Sequence, residues 1–391
     1  MRYLLLRFKR LCGFIAGFVF FAGGILKLMD PSGAGLVMGE YLDFMHLKFL
    51  GFASKPLGTA FAFAETIIGT ALITGVWRRI SGTAALAFQF FFTILTLALV
   101  IFNPKMDCGC FGEAIHLTHM ESFLKNIVLC MLLCLYLFPV KHLGTPKKQK
   151  YVSFFIVSAS VATFALYSWM HIPLVDFTDY KPGAVLKAGN AFATQSEDIY
   201  DAVFVYQKDG TEEAFGLNNL PDSTWTFVRT ETAEKPGSET EGLIDLSMRN
   251  EEGEYMDELA SAGKAMIISV YNPDISASRW NQIEEFARNA QEAGFKSFIL
   301  VPDMPEIQLE APVYLSDYKT LIAMNRSNGG ATYFCEGYLI RKWSFKNLPS
   351  LESLEEIHDE DETETVIEHD TKGSLGFQGF LLYVFAVMML L

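Results

Sequence analysis

The sequence predicts an α-helical membrane bundle joined to a soluble α/β domain outside the membrane, and three observations carry that prediction. Hydrophobic residues make up 51% of the 391, with 34 Phe, against 19% charged residues, more apolar than an ordinary soluble chain. The apolar residues are concentrated in the first 170 positions, in runs long enough to cross a bilayer. Residues 173–373 instead read as an acidic globular sequence and hold most of the net charge of −14. That acidity argues against a nucleic-acid partner, which requires a concentrated basic face.

A spanning helix needs about 20 apolar residues. Residues 11–28, 56–77, 80–102, 123–140 and 152–170 each supply such a run. The first is expected to be retained: Arg2, Arg7, Lys9 and Arg10 resemble a basic leader, but no small-residue cleavage site follows them. Basic residues in short loops stay on the cytoplasmic side. The N-terminal cluster, Arg78 with Arg79, and Lys141, Lys147, Lys148 and Lys150 fall at alternate ends of successive helices, so all three groups share one face. Residues 30–55, residues 103–121 and everything after His171 are then expected outside. In a bacterial cell this is a multi-pass protein of the cytoplasmic (inner) membrane, with a cytoplasmic N-terminus and a periplasmic soluble domain.

The expected organisation is a bundle over 1–145, a fifth transmembrane helix over 146–172, and a small extracytoplasmic β region with linker over 173–242. An α/β domain follows over 243–358, an acidic linker over 359–373, and a last apolar helix over 374–391. The last helix sits at the lower limit for a span, so it either crosses or lies in the interface.

Six cysteines are present: Cys12, Cys108, Cys110, Cys130, Cys134 and Cys335. Cys108 and Cys110 form a C-x-C in the exported loop Asp107-Cys108-Gly109-Cys110-Phe111-Gly112, where an oxidising compartment permits a disulfide. The ring so closed is small and strained, and strained disulfides are the labile ones, suited to exchange. Gly109 and Gly112 allow the tight backbone it demands. Spacing alone leaves open whether the pair exchanges or merely ties the loop. A third reading adds His116, His119 and Glu113 as a soft metal site; loop histidines are more often simply solvated, and no metal is assigned. Cys130 and Cys134 share a helix face and read as packing residues, as do Cys12 and Cys335.

The stretch Gly23-Gly24-Ile25-Leu26-Lys27-Leu28-Met29-Asp30-Pro31, together with Asp107-Cys108-Gly109-Cys110-Phe111-Gly112 and Phe123-Leu124-Lys125-Asn126, resembles the DoxX-like and MauE-like (methylamine utilisation) membrane proteins over about residues 10–140. The resemblance implies a four-helix unit related to vitamin K epoxide reductase-like redox proteins, acting in disulfide maturation beside a thioredoxin-like partner. Its specific substrate does not transfer, because nothing in the chain points to methylamine.

From residue 243 the pattern reads as strand and hairpin (244–255), a buried strand (265–271), a helix (278–293), a strand (297–301), a hairpin (332–343) turning at Glu336-Gly337, and a helix from Ser350. This order resembles a periplasmic thioredoxin-like fold of the TlpA type. Such a fold implies a C-x-x-C at the start of the helix after the buried strand, where Asn272-Pro273-Asp274-Ile275-Ser276-Ala277-Ser278 stands instead. The proline loop facing that site is likewise replaced by Asn328-Gly329-Gly330-Ala331-Thr332. The domain is therefore expected to be degenerate and non-catalytic, a scaffold or partner-binding module. Residues 200–215 carry a further hairpin signal, with a polar linker over 230–241.

The expected function is thiol-disulfide redox or maturation of exported proteins through Cys108 and Cys110, making the protein a thiol-disulfide oxidoreductase if it is an enzyme. The expected electron acceptor is a membrane quinone, although no residue pattern identifies its site. The expected partners are membrane lipid, exported client proteins or a separate catalytic thioredoxin. The alternative is a non-catalytic membrane-anchored binding or assembly protein.

Overall fold

In a computed structural model the described residues are 2–104, 106, 108–138, 146–187, 200–208, 211–216, 225–234, 243–305 and 307–390. Asp107 of the loop motif, Val140, Lys141, Leu391 and residues 235–242 of the polar linker lie outside the described residues. The chain divides into two compact units, Met1–Thr178 with Glu368–Leu391, and Asp179–Ile367.

The first unit contains α1 (Arg2–Met29), α2 (Pro31–Phe44), α3 (Ser54–Thr74), α4 (Arg78–Phe102), α5 (His119–Leu137), α6 (Lys148–Met170) and the apolar part of the last helix, α11 (Glu362–Leu390). Among the described residues six helices, all of these but α2, are long and apolar enough to cross a membrane. Glycines set the α1–α3 contact: a Cβ on Gly24 would lie 2.3 Å from Thr66 Oγ1, and one on Gly69 2.4 Å from the Phe21 nitrogen. Small residues of this kind let spanning helices approach closely where apolar attraction between them is weak.

Two elements of this unit differ from expectation. The segment after α1, read from sequence as a connection, is helical over α2. Asp30 caps it by accepting a hydrogen bond from the Gly33 N–H at 2.9 Å, and Pro31 occupies the first turn with its φ already helical. The buried small residues Gly35 and Gly58 then let α2 lie directly on α3, where a Cβ on Gly58 would meet the Ala34 carbonyl oxygen at 2.5 Å. The last helix extends back through most of the acidic stretch expected as a linker, and its apolar part packs along α6. Lys150 Nζ donates to the Met388 carbonyl at 2.8 Å and Ser153 Oγ to that of Val387 at 2.8 Å, while Phe164 stacks on Phe380 at 4.6 Å. Early α6 residues meet late α11 residues, so the two helices run antiparallel.

The second unit holds a seven-stranded sheet in the order β6-β2-β11-β10-β7-β8-β9 and a three-stranded sheet in the order β4-β3-β5. The strands are β2 (Val185–Leu186), β3 (Tyr200–Lys208), β4 (Thr211–Gly216), β5 (Thr226–Glu234), β6 (Leu243–Ile244), β7 (Lys264–Ser269), β8 (Lys296–Val301), β9 (Val313–Leu315), β10 (Gly330–Cys335) and β11 (Tyr338–Trp343); β1 belongs to the loop described below. The helices are α7 (Glu258–Ser261), α8 (Ala277–Glu292), α9 (Tyr318–Met324) and α10 (Leu351–Asp359). Strands β7, β8 and β9 are parallel; β10 and β11 form an antiparallel hairpin beside β7. Period-two alternation separates two cores. Met266, Ile268 and Val270 face Trp280, Ile283 and Phe286 of α8 with Leu354 of α10, whereas Ala265 and Ile267 face Leu321 and Met324 of α9. The β10–β11 turn places Glu336 at φ 48° and Gly337 at φ 85°, the left-handed pair that a two-residue hairpin favours. Over 244–255, expected as strand and hairpin, the chain forms the short strand β6 and a tight antiparallel turn, bridged between Arg249 and Tyr255 with the Asn250 N–H donating to the Glu254 carbonyl at 3.1 Å.

Candidate functional site: a dithiol loop at a helix N-terminus

Helix α4 ends at Asn103, which takes a left-handed turn at φ 42°, and the chain re-enters the bundle as α5. Between them lies β1 (Cys110–Glu113). The start of α5 is fixed by a capping box: the Thr118 hydroxyl accepts from the Glu121 N–H at 3.3 Å, and the Glu121 carboxylate accepts from the Thr118 N–H at 2.9 Å. This cap places His119 and Ser122 on the first turn, facing the cysteines.

Cys108 is 4% exposed, and its Sγ lies 3.0 Å from His119 Nδ1. The other ring nitrogen, Nε2, lies 3.0 Å from the Pro104 carbonyl oxygen. A carbonyl only accepts, so Nε2 must carry the proton of the neutral ring, and Nδ1 presents a lone pair to the thiol. The buried Tyr41 hydroxyl donates to the Cys108 carbonyl at 2.7 Å, tying the loop to α2. Cys110, more exposed than Cys108, lies 3.6 Å from the buried Ser122 hydroxyl. Both sulfurs thus lie against the first turn of α5. Gly109 holds φ at 56°, and a Cβ there would lie 2.4 Å from Val37 Cγ1; Gly112 holds φ at 64°. The C-x-C backbone is therefore one that glycine adopts readily and other residues do not.

A cavity of about 170 Å³ opens beside the loop. Phe61, Phe88, Phe91 and Phe92 wall it on one side, and Cys108 to Gly112 on another. Its polar groups include Tyr41, Gln89, Thr96, Lys125, Asn126 and the ion pair Lys27–Glu65, whose atoms stand 2.5 Å apart with side chains 15% and 16% exposed. Charged side chains within spanning helices are costly and mark functional positions more often than packing ones. Glu65 reaches the cysteine loop: a Cβ on Gly23 would lie 3.1 Å from Glu65 Oε1 and 3.3 Å from the Cys110 carbonyl oxygen.

The remaining cysteines are not brought to this site. Cys12 is buried in the core formed by α1, α3, α4 and α5; Cys130 meets Thr93 Oγ1 at 3.4 Å; Cys134 is exposed on the outer surface of α5. Cys335, in the α/β unit, lies 3.6 Å from Glu362 Oε1, and burial followed by that carboxylate pushes its thiol up, so it remains protonated. Among the described residues no three His, Cys, Asp or Glu side chains gather as a metal site. At the start of α8 the Asn272–Ser278 segment is sealed by polar contacts. Asn328 Oδ1 accepts from the Asn272 N–H at 3.0 Å, Asn328 Nδ2 donates to the Asn272 carbonyl at 2.8 Å, and Arg279 donates to the Asn328 carbonyl at 2.5 Å.

Sequence reasoning read His119 only as a possible metal ligand and did not single out Tyr41, Ser122 or the Lys27–Glu65 pair. The signal for the pair was present, since Lys27 and Glu65 stand within apolar runs.

Residues 3–139 match the family model of the methylamine utilisation protein MauE, and residues 200–235, which hold the β3–β4–β5 sheet, match a domain of unknown function (DUF8463). Comparison with curated proteins and with solved structures yields no match. The six apolar helices and the match over residues 3–139 make this a multi-pass integral membrane protein whose N-terminal bundle is MauE-like.

Proposed function

We propose that the protein carries out thiol-disulfide exchange for exported proteins through Cys108 and Cys110. The observation that carries this reading is the placement of both sulfurs against the first turn of α5, one of them on a histidine nitrogen. In the oxidising direction a client thiolate attacks the C-x-C disulfide and forms a mixed disulfide. The second client thiol resolves it, leaving the client oxidised and the pair as two thiols. A membrane quinone then takes two electrons and two protons from the pair, becomes the quinol and restores the disulfide. The Phe-lined cavity beside the cysteines supports this assignment, being apolar enough for a lipophilic ring.

In this reading the N-terminus is cytoplasmic, and the dithiol loop and the α/β unit lie on the periplasmic side of a bacterial inner membrane. The basic residues at the start of α6 and the antiparallel course of α11 support it, because α6 ends where the apolar part of α11 begins. The order β8-β7-β10-β11, with α8 following β7, supports a thioredoxin-like relationship for residues 243–358. The name of the matched family supports a place in methylamine utilisation.

A second reading, a membrane-anchored binding or assembly protein without turnover, is favoured by the Asn272–Asn328 clasp, which stands where a thioredoxin-like fold would carry its thiols. Capture of clients distinguishes the two. Single Cys→Ser variants of the pair should trap mixed disulfides in cells if exchange occurs. If neither variant captures a client and both complement fully, the C-x-C only ties its loop.

A further inference from the structure

The two cysteines of the loop are not equivalent. Cys108 is buried, its carbonyl is held by Tyr41, and its sulfur faces the lone pair of His119 Nδ1. Cys110 is the more accessible, and its sulfur lies against the Ser122 hydroxyl, a group that carries no charge. The His119 ring cannot turn over freely, because its Nε2–H is committed to the Pro104 carbonyl and its backbone is fixed by the Thr118 capping box.

We propose that His119 is the proton-exchanging partner of Cys108, making Cys108 the interior attacking and leaving sulfur and Cys110 the sulfur that carries the client. This division of labour rests on the exchange reading above and assigns its steps. When the pair is oxidised, a client thiolate attacks Cys110 Sγ, the Cys108–Cys110 bond breaks, and Cys108 leaves as a thiolate. Protonated His119 delivers its Nδ1 proton to that sulfur, leaving a neutral thiol in contact with a neutral imidazole. In the opposite sense His119 removes the Cys108 proton, and the thiolate attacks Cys110 in the mixed disulfide, releasing the client thiolate. Each step transfers one proton between the ring and the sulfur and exchanges one S–S bond for another, so no further reactant is required.

The groups surrounding the contact include Tyr41 and Glu40 on α2, Cys110 on β1, Glu121 on the first turn of α5, Lys125 one turn further along α5 and over the Phe111 ring, and the Lys27–Glu65 pair reaching the loop from α1 and α3. Of these groups His119 supplies an imidazole nitrogen, which can both take and give a proton, within 3.0 Å of the Cys108 sulfur.

The test uses the full chain in lipid nanodiscs, fully reduced, with no client and no quinone. Iodoacetamide alkylation of Cys108 and Cys110 is measured separately by peptide mass spectrometry from pH 5.5 to 9. An isolated thiol reacts mainly near its ordinary range of about 8.5, so losing the imidazole should lower Cys108 alkylation at pH 6.5 about tenfold in His119→Gln and remove the low-pH limb of its profile. The Cys110 profile should stay as it was, which also shows that the loop is intact. A Cys108 profile unchanged in both His119→Gln and His119→Asn overturns the assignment, and so does a Cys110 profile that loses its low-pH limb instead. In cells, Cys108→Ser should trap clients on Cys110 while Cys110→Ser traps few; the reverse ratio also overturns it. Because the alkylation experiment involves no turnover, its failure is separate from failure of the exchange reading, which a redox titration of the pair detects.

Discussion

Replacing Gly109 by alanine perturbs the site where the geometry is tightest. A left-handed φ of 56° costs a residue with a Cβ roughly 1–2 kcal/mol. The added carbon would also lie 2.4 Å from Val37 Cγ1 and 2.9 Å from Cγ2, so α2 or the loop must move, an overpacking cost of about 1–3 kcal/mol. Together these favour opening of the loop by about 2–5 kcal/mol, roughly 30- to 3,000-fold in the open population. The assay is the labelling rate of buried Cys108 by a bulky water-soluble maleimide, read by peptide mass spectrometry against the wild-type chain. Gly109→Ala should raise the Cys108 rate by at least about tenfold. Val37→Ala added to it should recover the steric share and leave the backbone share, giving a coupling of about 1 kcal/mol or more in a double-mutant cycle. An unchanged Cys108 rate in Gly109→Ala, or strictly additive effects of the two substitutions, would refute the reasoning.

Three further outcomes follow from the same geometry. Glu65→Leu removes the carboxylate that pairs with Lys27 in a largely apolar cavity and should cost about 3 kcal/mol, while Lys27→Met with Glu65→Leu recovers most of it; thermal unfolding in detergent reads both. Lys150→Ala with Ser153→Val removes two hydrogen bonds to the end of α11, about 2 kcal/mol in all, and should speed amide exchange over residues 385–389 about thirtyfold. In the α/β unit, burial and the neighbouring Asp245 push Asp257 up to about 7, while Asp245 is held low chiefly by its hydrogen bond to Asp257. The folded state therefore holds a proton that the unfolded chain releases near pH 4, so this pair's stabilising contribution falls as pH rises from about 4 to 7. Proteolysis of residues 243–359 should accelerate across that window in the wild type and much less in Asp257→Asn.

The parts legible in the sequence are those where one local pattern decides. The five long apolar runs became spanning helices because nothing else can absorb so many Phe and Leu side chains, and the Glu336-Gly337 turn was legible because two left-handed residues close a hairpin. Helix α2 was not: its stretch Pro31-Ser32-Gly33-Ala34-Gly35 carries no apolar stripe, and it is held by the Asp30 cap and by backbone contact with α3. The brief β9 and α9 likewise depend on edges supplied by β8 and β7. At the site, the spacing of Cys108 and Cys110 and the need for Gly109 could be read directly. The thiol–imidazole contact could not, because it exists only once the capping box has turned His119 back over a loop of eleven residues. The Lys27–Glu65 pair joins positions 38 apart, visible separately as charges in apolar runs but not as partners.

The measurement closest to the central claim is the redox state of Cys108 and Cys110 in intact membranes, followed by differential thiol labelling across a series of glutathione and dithiothreitol potentials. Exchange predicts reversible interconversion with a midpoint well above about −300 mV. A pair that stays bridged at every potential, or never oxidises, would contradict it.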